Sequence, residues 1–164
     1  MTAPARGRGQ AARGADEVSA LDKRIIEHLQ QDGRRPFTQI AAELGVSEAA
    51  VRARTNRLVE RGILQVVGVT DPLKLGFQQQ AMIGVRCERD RLLQVSEAVS
   101  AFPEVDYVVI TAGTFDLLIE VVCENNEALL HFLTEKLRAV DGVRDTETFV
   151  YLRMVKQTYQ WGTR

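Results

Sequence analysis

The sequence predicts an α+β fold, a helical head followed by an antiparallel sheet backed by helices. Three observations predict it. Apolar residues recur at helical spacing through the first third of the chain, and after Gly62 the pattern changes to β-branched runs that alternate with helical stretches. Charge divides at the same place, with 11 Lys and Arg against 8 Asp and Glu up to Gly62 but 10 against 14 from Ile63 onward. Finally, 164 residues of which 45% are apolar and 26% charged suit one ordinary domain or two small ones, each able to bury a core.

The head is read first. Residues 1–16 are dominated by Gly, Ala and Arg without helical or strand period, so a disordered basic tail is expected. Its arginines suit either a solvated leader or a phosphate-binding arm. Residues 17–62 form the expected helix-turn-helix, winged-helix-like domain. Val18–Gln31 carries Leu21, Ile25, Ile26 and Leu29 on one stripe, with Ser19 as N-cap and Asp22 in capping-box position. Thr38 is expected to cap a short helix, Gln39–Leu44, and Gly45 to end it in the left-handed conformation. Ser47 then caps a longer helix, Glu48–Arg61, stopped by Gly62.

Residues 63–77 read as a strand-bearing linker, from the β-branched run ILQVVGVT to the Pro- and Gly-containing DPLKLG. Residues 78–164 read as strand Gln79–Cys87, helix Asp90–Ala101, strands Val105–Thr111 and Phe115–Cys123, helix Glu127–Val140 and a last strand region, Val143–Lys156. The order βαββαβ is the ferredoxin-like arrangement, an antiparallel sheet with both helices on one face. Val, Ile and Leu fall on both parities of the strands, so the second face needs cover, and a second copy of the chain supplies it most simply.

Chemistry-bearing residues concentrate in two places. In the longer helix, Arg52, Arg54 and Arg57 crowd into six positions of a chain whose net charge is −1. If Val51, Thr55 and Leu58 point inward, Arg52 and Asn56 share the exposed face, Glu48 and Ala49 begin it, and Arg54 and Arg57 flank it. Such a helix enters the DNA major groove with its first turns on base edges and its flanking cations on phosphates. A charged solvent face is the plainer alternative. Thr38 and Ser47, at the helix starts, complete the expected DNA-contacting set. The second place is the loop Thr111-Ala112-Gly113-Thr114-Phe115-Asp116, where Gly113 is expected to allow a tight hairpin with positive φ. Asp116 is expected either to accept backbone N–H groups of its own turn or to bind a ligand.

Other classes are poorly served. Cys87 and Cys123 lie in strand-like runs without metal-ligand spacing and read as buried thiols of a reducing cytoplasm. His28 and His131 are isolated. There is no export signal, no apolar run of about 18 residues, no phosphate-binding glycine loop and no Ser/His/Asp set. An enzyme, a metal site and a resident cofactor are therefore not expected.

LDKRIIEHLQQDGR, TQIAAELGVS, RTNRLVERGIL, TAGTFDLLIEV and VRDTETFVYLRMVKQ, in that order and spacing, resemble the Lrp/AsnC family of bacterial and archaeal transcription regulators. The resemblance runs from about Leu21 to Lys156. It implies dimers that assemble further, often to octamers, and DNA binding or assembly altered by a free amino acid or related metabolite. On that model Asp116 pairs with an α-ammonium, N–H groups near Gly113 take the carboxylate, and Thr111 or Thr114 add hydroxyl bonds. By position, Thr146, Thr148 and Val150 of the final strand join the effector site. This chain departs from the family pattern near Ala50, at Thr55 and at Thr114. The expected partner is double-stranded DNA with a palindromic operator. The alternative is an architectural, nucleoid-associated protein that wraps DNA without a ligand.

Overall fold

The computed structural model describes residues 18–160 and 162–163, so the expected basic tail lies outside the described residues. These residues form two compact units. One holds residues up to Gly68 together with the stretch from Gln157, and the other is Val69–Lys156.

The first unit is three helices, α1 (Ala20–Gln31), α2 (Phe37–Leu44) and α3 (Glu48–Glu60). Ile25, Ile26 and Leu29 of α1 meet Ile40 and Ala41 of α2, Val51 and Leu58 of α3, and Leu64 in one buried cluster. The capping box is complete, since Asp22 donates its N–H to Ser19 Oγ (3.1 Å) and accepts the Ser19 N–H (3.0 Å). Gly45 is left-handed at φ 68°, which lets the Val46 N–H return to the Ala41 carbonyl at 3.0 Å. Gly62, at φ 67°, does the same for α3, turning the Ile63 N–H onto the Leu58 carbonyl. Thr38 does not cap α2. Pro36 is the N-cap, with its carbonyl accepting from Gln39 and Ile40, and Thr38 sits exposed in the first turn. Proline brings a fixed φ and lacks an N–H, so the chain enters the helix without a side-chain cap.

The second unit contains β1 (Gln79–Cys87), α4 (Leu92–Ser100), β2 (Val105–Ile110), β3 (Leu117–Cys123), α5 (Asn126–His131) and β4 (Val143–Val150). The sheet order is β2-β3-β1-β4 and every pairing is antiparallel. This is the ferredoxin-like arrangement read from the sequence. Ala81, Ile83, Val85, Leu117, Ile119 and Val121 point to the helix side and pack on Val95, Val99, Leu129, Phe132 and Leu137. Phe102 and Phe132 meet edge-to-face at 5.7 Å. Cys87 and Cys123 are buried on this side and unbridged. Burial raises both thiol pKa values, helped by Asp116 beside Cys87 and Glu104 beside Cys123.

Three expectations are corrected. Ile63–Thr70 joins no ladder, and Val66, Val67 and Val69 are exposed. Strand propensity alone makes no strand, because a ladder needs a second backbone to bond to. The helix expected over Glu127–Val140 begins at Asn126, capped by the Asn125 side chain on the Ala128 N–H, and changes to a π-helical turn at Phe132–Lys136 and a 3-10 turn at Leu137–Ala139. The last strand stops at Val150 rather than Lys156, because Val150 faces Ala81 near the start of β1 and little of β1 remains to pair with.

Candidate nucleic-acid interface and effector loop

α3 has the capped start and the buried face that the sequence predicts. Ser47 accepts the Ala50 N–H at 3.2 Å and fixes the start. Val51, Thr55 and Leu58 are buried, although Thr55 Oγ1 finds no hydrogen-bond partner. Glu48, Ala49, Arg52, Ala53 and Asn56 line one shallow, open surface along the helix. Arg52 is held loosely there. Its Nη2 is 2.7 Å from Glu48 Oε1, and its guanidinium lies 5.3 Å from the Phe37 ring centroid. With side chains 58% and 43% exposed, this pair opens at little cost.

Arg54 differs from Arg52. Its Nη1 lies 3.0 Å from Oδ1 of Asp22, whose residue is only 1% exposed, and 3.3 Å from Ser19 Oγ. Arg57 approaches the same Oδ1 at 3.5 Å but keeps half its side chain in solvent. Burial pushes the Asp22 carboxyl up, but hydrogen bonds from Ser19 and Arg54 outweigh it and hold the pKa below the usual value. The three arginines are thus unequal. Arg52 faces outward, Arg57 is shared, and Arg54 is turned into the bundle. The sequence marked Asp22 only as a capping residue and gave no sign that α3 reaches back to it.

The β2–β3 loop is closed by its own polar groups. Thr111 donates its N–H to the Asp116 carbonyl (2.9 Å) and its Oγ1 hydrogen to the Phe115 carbonyl (2.6 Å). Asp116 donates its N–H to Val85 O (2.9 Å), and its Oδ2 accepts the Cys87 N–H (2.8 Å). The carboxylate therefore bonds a backbone N–H of β1 rather than of its own turn. Gly113 does not take positive φ. The loop is longer than a two-residue hairpin and closes through Thr111 and Asp116, so no left-handed residue is required.

Val85 pairs with Thr146 on one side and accepts from Asp116 on the other, so Thr111, Asp116 and Thr146 meet at one end of the sheet. Thr148 and Val150 sit opposite Ile83 and Ala81, progressively further from the loop. Gly113 and Thr114 are exposed at the loop tip. One residue there escaped the sequence reading. Arg86 donates Nε–H to the Thr114 carbonyl (3.1 Å) and pairs with Asp145. It lies on β1, far in sequence from the loop, and no local pattern announces it. Among the described residues no group of three or more His, Cys, Asp or Glu is placed to hold a metal, and no helix is long and apolar enough to cross a membrane.

A family model described as AsnC-type helix-turn-helix domain matches residues 19–59, and one described as Lrp/AsnC ligand binding domain matches residues 80–161. An HTH-type transcriptional regulator of Pyrococcus horikoshii is 35% identical over 144 residues, covering 87% of this chain and 91% of the relative. The solved structure of AsnC from E. coli superposes with a TM-score of 0.80 at 23% identity, over 90% of this chain and 99% of that one. A transcriptional regulator from Neisseria meningitidis, solved in complex with L-Met, gives 0.81 at 23% identity over 89% and 97% of the two chains.

Proposed function

The chain belongs to the Lrp/AsnC family of transcriptional regulators, and from that membership we propose that it binds specific DNA sites in response to a free amino acid. One observation carries the DNA reading. Ala49, Arg52 and Asn56 stand exposed and Glu48 half-buried on a single face of α3, which is anchored through Val51 and Leu58. Arg52, with its weak intramolecular pair, reads base edges, and Arg57, half in solvent, contacts phosphate. Thr38 and Ser47 lie at helix starts, where backbone N–H groups meet phosphate. Arg54 acts indirectly, by setting α3 against α1.

The effector reading rests on the β2–β3 loop and the β4 start. The relative from Neisseria meningitidis was solved with L-Met, which supports an amino acid as the ligand class here. Asp116 bonds Cys87 through Oδ2 and keeps Oδ1 for an α-ammonium, with Thr111, Gly113, Thr114 and Thr146 near it and Thr148 and Val150 extending the site along β4.

Self-association follows from the second sheet face, where Met82, Leu118 and Val122 are half-buried and Tyr107 and Phe149 exposed. A paired copy covers these side chains and sets two α3 helices for a palindromic operator. Octamers arise when dimers pack further, and an effector bound between dimers favours one assembly over another.

Footprinting on genomic fragments, with and without each of the twenty amino acids, tests the proposal. Discrete palindromic sites whose occupancy changes with one amino acid are expected. Featureless coverage indifferent to every amino acid favours the architectural alternative and sinks the reading.

A further inference from the structure

Phe115, the aromatic residue of the β2–β3 loop, has a seat made for it. A Cβ at Gly84 would lie 2.5 Å from Phe115 Cγ and 2.6 Å from both Cδ atoms. Only glycine at position 84 leaves room for the ring. Arg86, next on the same face of β1, holds its guanidinium 5.0 Å from the ring centroid. Phe149 of β4 meets the ring from the side at 6.3 Å and 77°. The same guanidinium donates Nε–H to the Thr114 carbonyl at 3.1 Å and Nη1–H to Asp145 at 2.5 Å. Arg86 thus touches the loop backbone, the loop aromatic and the start of β4 at once. The Asp145 carboxylate is more than half exposed, so charge attraction alone contributes little. The planar fork, stacked on one side and bonded along its edge, is what a lysine does not reproduce.

We propose that Arg86 is the positioning residue of the effector loop. With Gly84 beneath Phe115, it holds residues 111–116 in the conformation that takes the ligand, without touching the ligand itself. This rests on the reading of that loop as effector-binding. The physical reason is entropic, since a loop ordered before binding has no ordering cost left to meet when the ligand arrives.

The test uses the full chain and Arg86→Gln, Arg86→Lys and Gly84→Ala. Hydrogen exchange reports order in the loop, and thermal-shift titration with each of the twenty amino acids reports effector affinity. In Arg86→Gln, amides of residues 111–116 are expected to exchange faster while those of Ile83 and Ile119 stay protected. The midpoint for the active amino acid is expected to weaken about tenfold. Gly84→Ala, which drives a methyl into the ring from below, is expected to repeat both effects, and Arg86→Lys to restore neither. A loop that stays as protected as in the parent, a midpoint within about threefold of it, or full rescue by lysine overturns the proposal. If no amino acid shifts the parent protein, the amino-acid reading fails by itself, and the exchange of the loop still decides the role of Arg86.

Discussion

Arg54 of α3 and Asp22 of α1 form an ion pair at 3.0 Å in which the carboxylate is almost wholly removed from solvent. The two residues are far apart in sequence, yet this contact orients the helix that presents Arg52 and Asn56. Asp22 also closes the α1 cap with Ser19, so one carboxylate serves both the start of the first helix and the tilt of the third.

Removing that carboxylate should cost stability in two ways. Asp22→Ala deletes the carboxylate half of the capping box, worth about 0.5–1.5 kcal/mol as a hydrogen bond, and leaves Arg54 only its longer contact with Ser19. The guanidinium is a third exposed, so the combined loss is expected to be about 2–3 kcal/mol rather than the full buried-pair penalty. Urea unfolding followed by helical circular dichroism measures it, and a loss under about 0.5 kcal/mol contradicts the pairing.

The pH dependence has a definite sign. The folded Asp22 pKa lies below its ordinary value, so the bound proton favours the unfolded chain. The stabilisation is complete above about pH 4, the ordinary aspartate range, and is lost as pH falls through the lower folded value. The gap in unfolding free energy between the parent and Asp22→Asn should therefore narrow in that acid window and stay constant from pH 5 to 8. A gap that widens on acidification refutes the account.

Arg52 and Arg57 should separate in DNA-binding assays. Arg52→Ala is expected to lower discrimination between operator and mutated operator by about 1–3 kcal/mol. Arg57→Ala should weaken operator and random duplex alike, with the salt slope falling by about one. Binding titrations at several salt concentrations check both. Identical losses on cognate and random duplex in the two variants would rule out base reading by Arg52.

Asp116→Asn isolates the ligand role from the structural one. The amide oxygen can still accept the Cys87 N–H, so unfolding free energy should fall by no more than about 1 kcal/mol. The negative charge proposed to face an α-ammonium is gone, so the response to the active amino acid should weaken at least about tenfold. An unaltered titration midpoint would show that the ammonium sits elsewhere.

The uncovered sheet face gives the fifth test. Leu118→Glu puts a charge on the face proposed to be covered by a second copy, opposite Gly84 in the β1–β3 register. Light scattering after size exclusion should then report a smaller species than the parent at the same concentration, because burying an unpaired carboxylate opposes the contact. A mass equal to the parent's would place the assembly surface on another part of the molecule.

Most of the fold was legible because it is written in local periodicity. Short apolar, β-branched runs marked β1 and β3, and the Gly45–Ser47 turn marked the start of α3. What escaped depends on residues distant in sequence. The seat of Phe115 needs Gly84, and the inward turn of Arg54 needs Asp22. Thr38 looked like a cap because its type is right, but the proline two positions earlier had already fixed the helix start. The run from Ile63 has strand composition, and composition does not say whether a second backbone is within reach.

The two thiols carry a practical consequence. Both belong to the sheet-bearing unit, they are the chain's only cysteines, and burial keeps them protonated and shielded from reagents. Alkylation by iodoacetamide becomes a clock for transient opening of that unit, silent to whatever the DNA-reading helices do. A ligand that tightens the sheet should slow the clock, which gives an assay of effector engagement that needs neither DNA nor a change in mass.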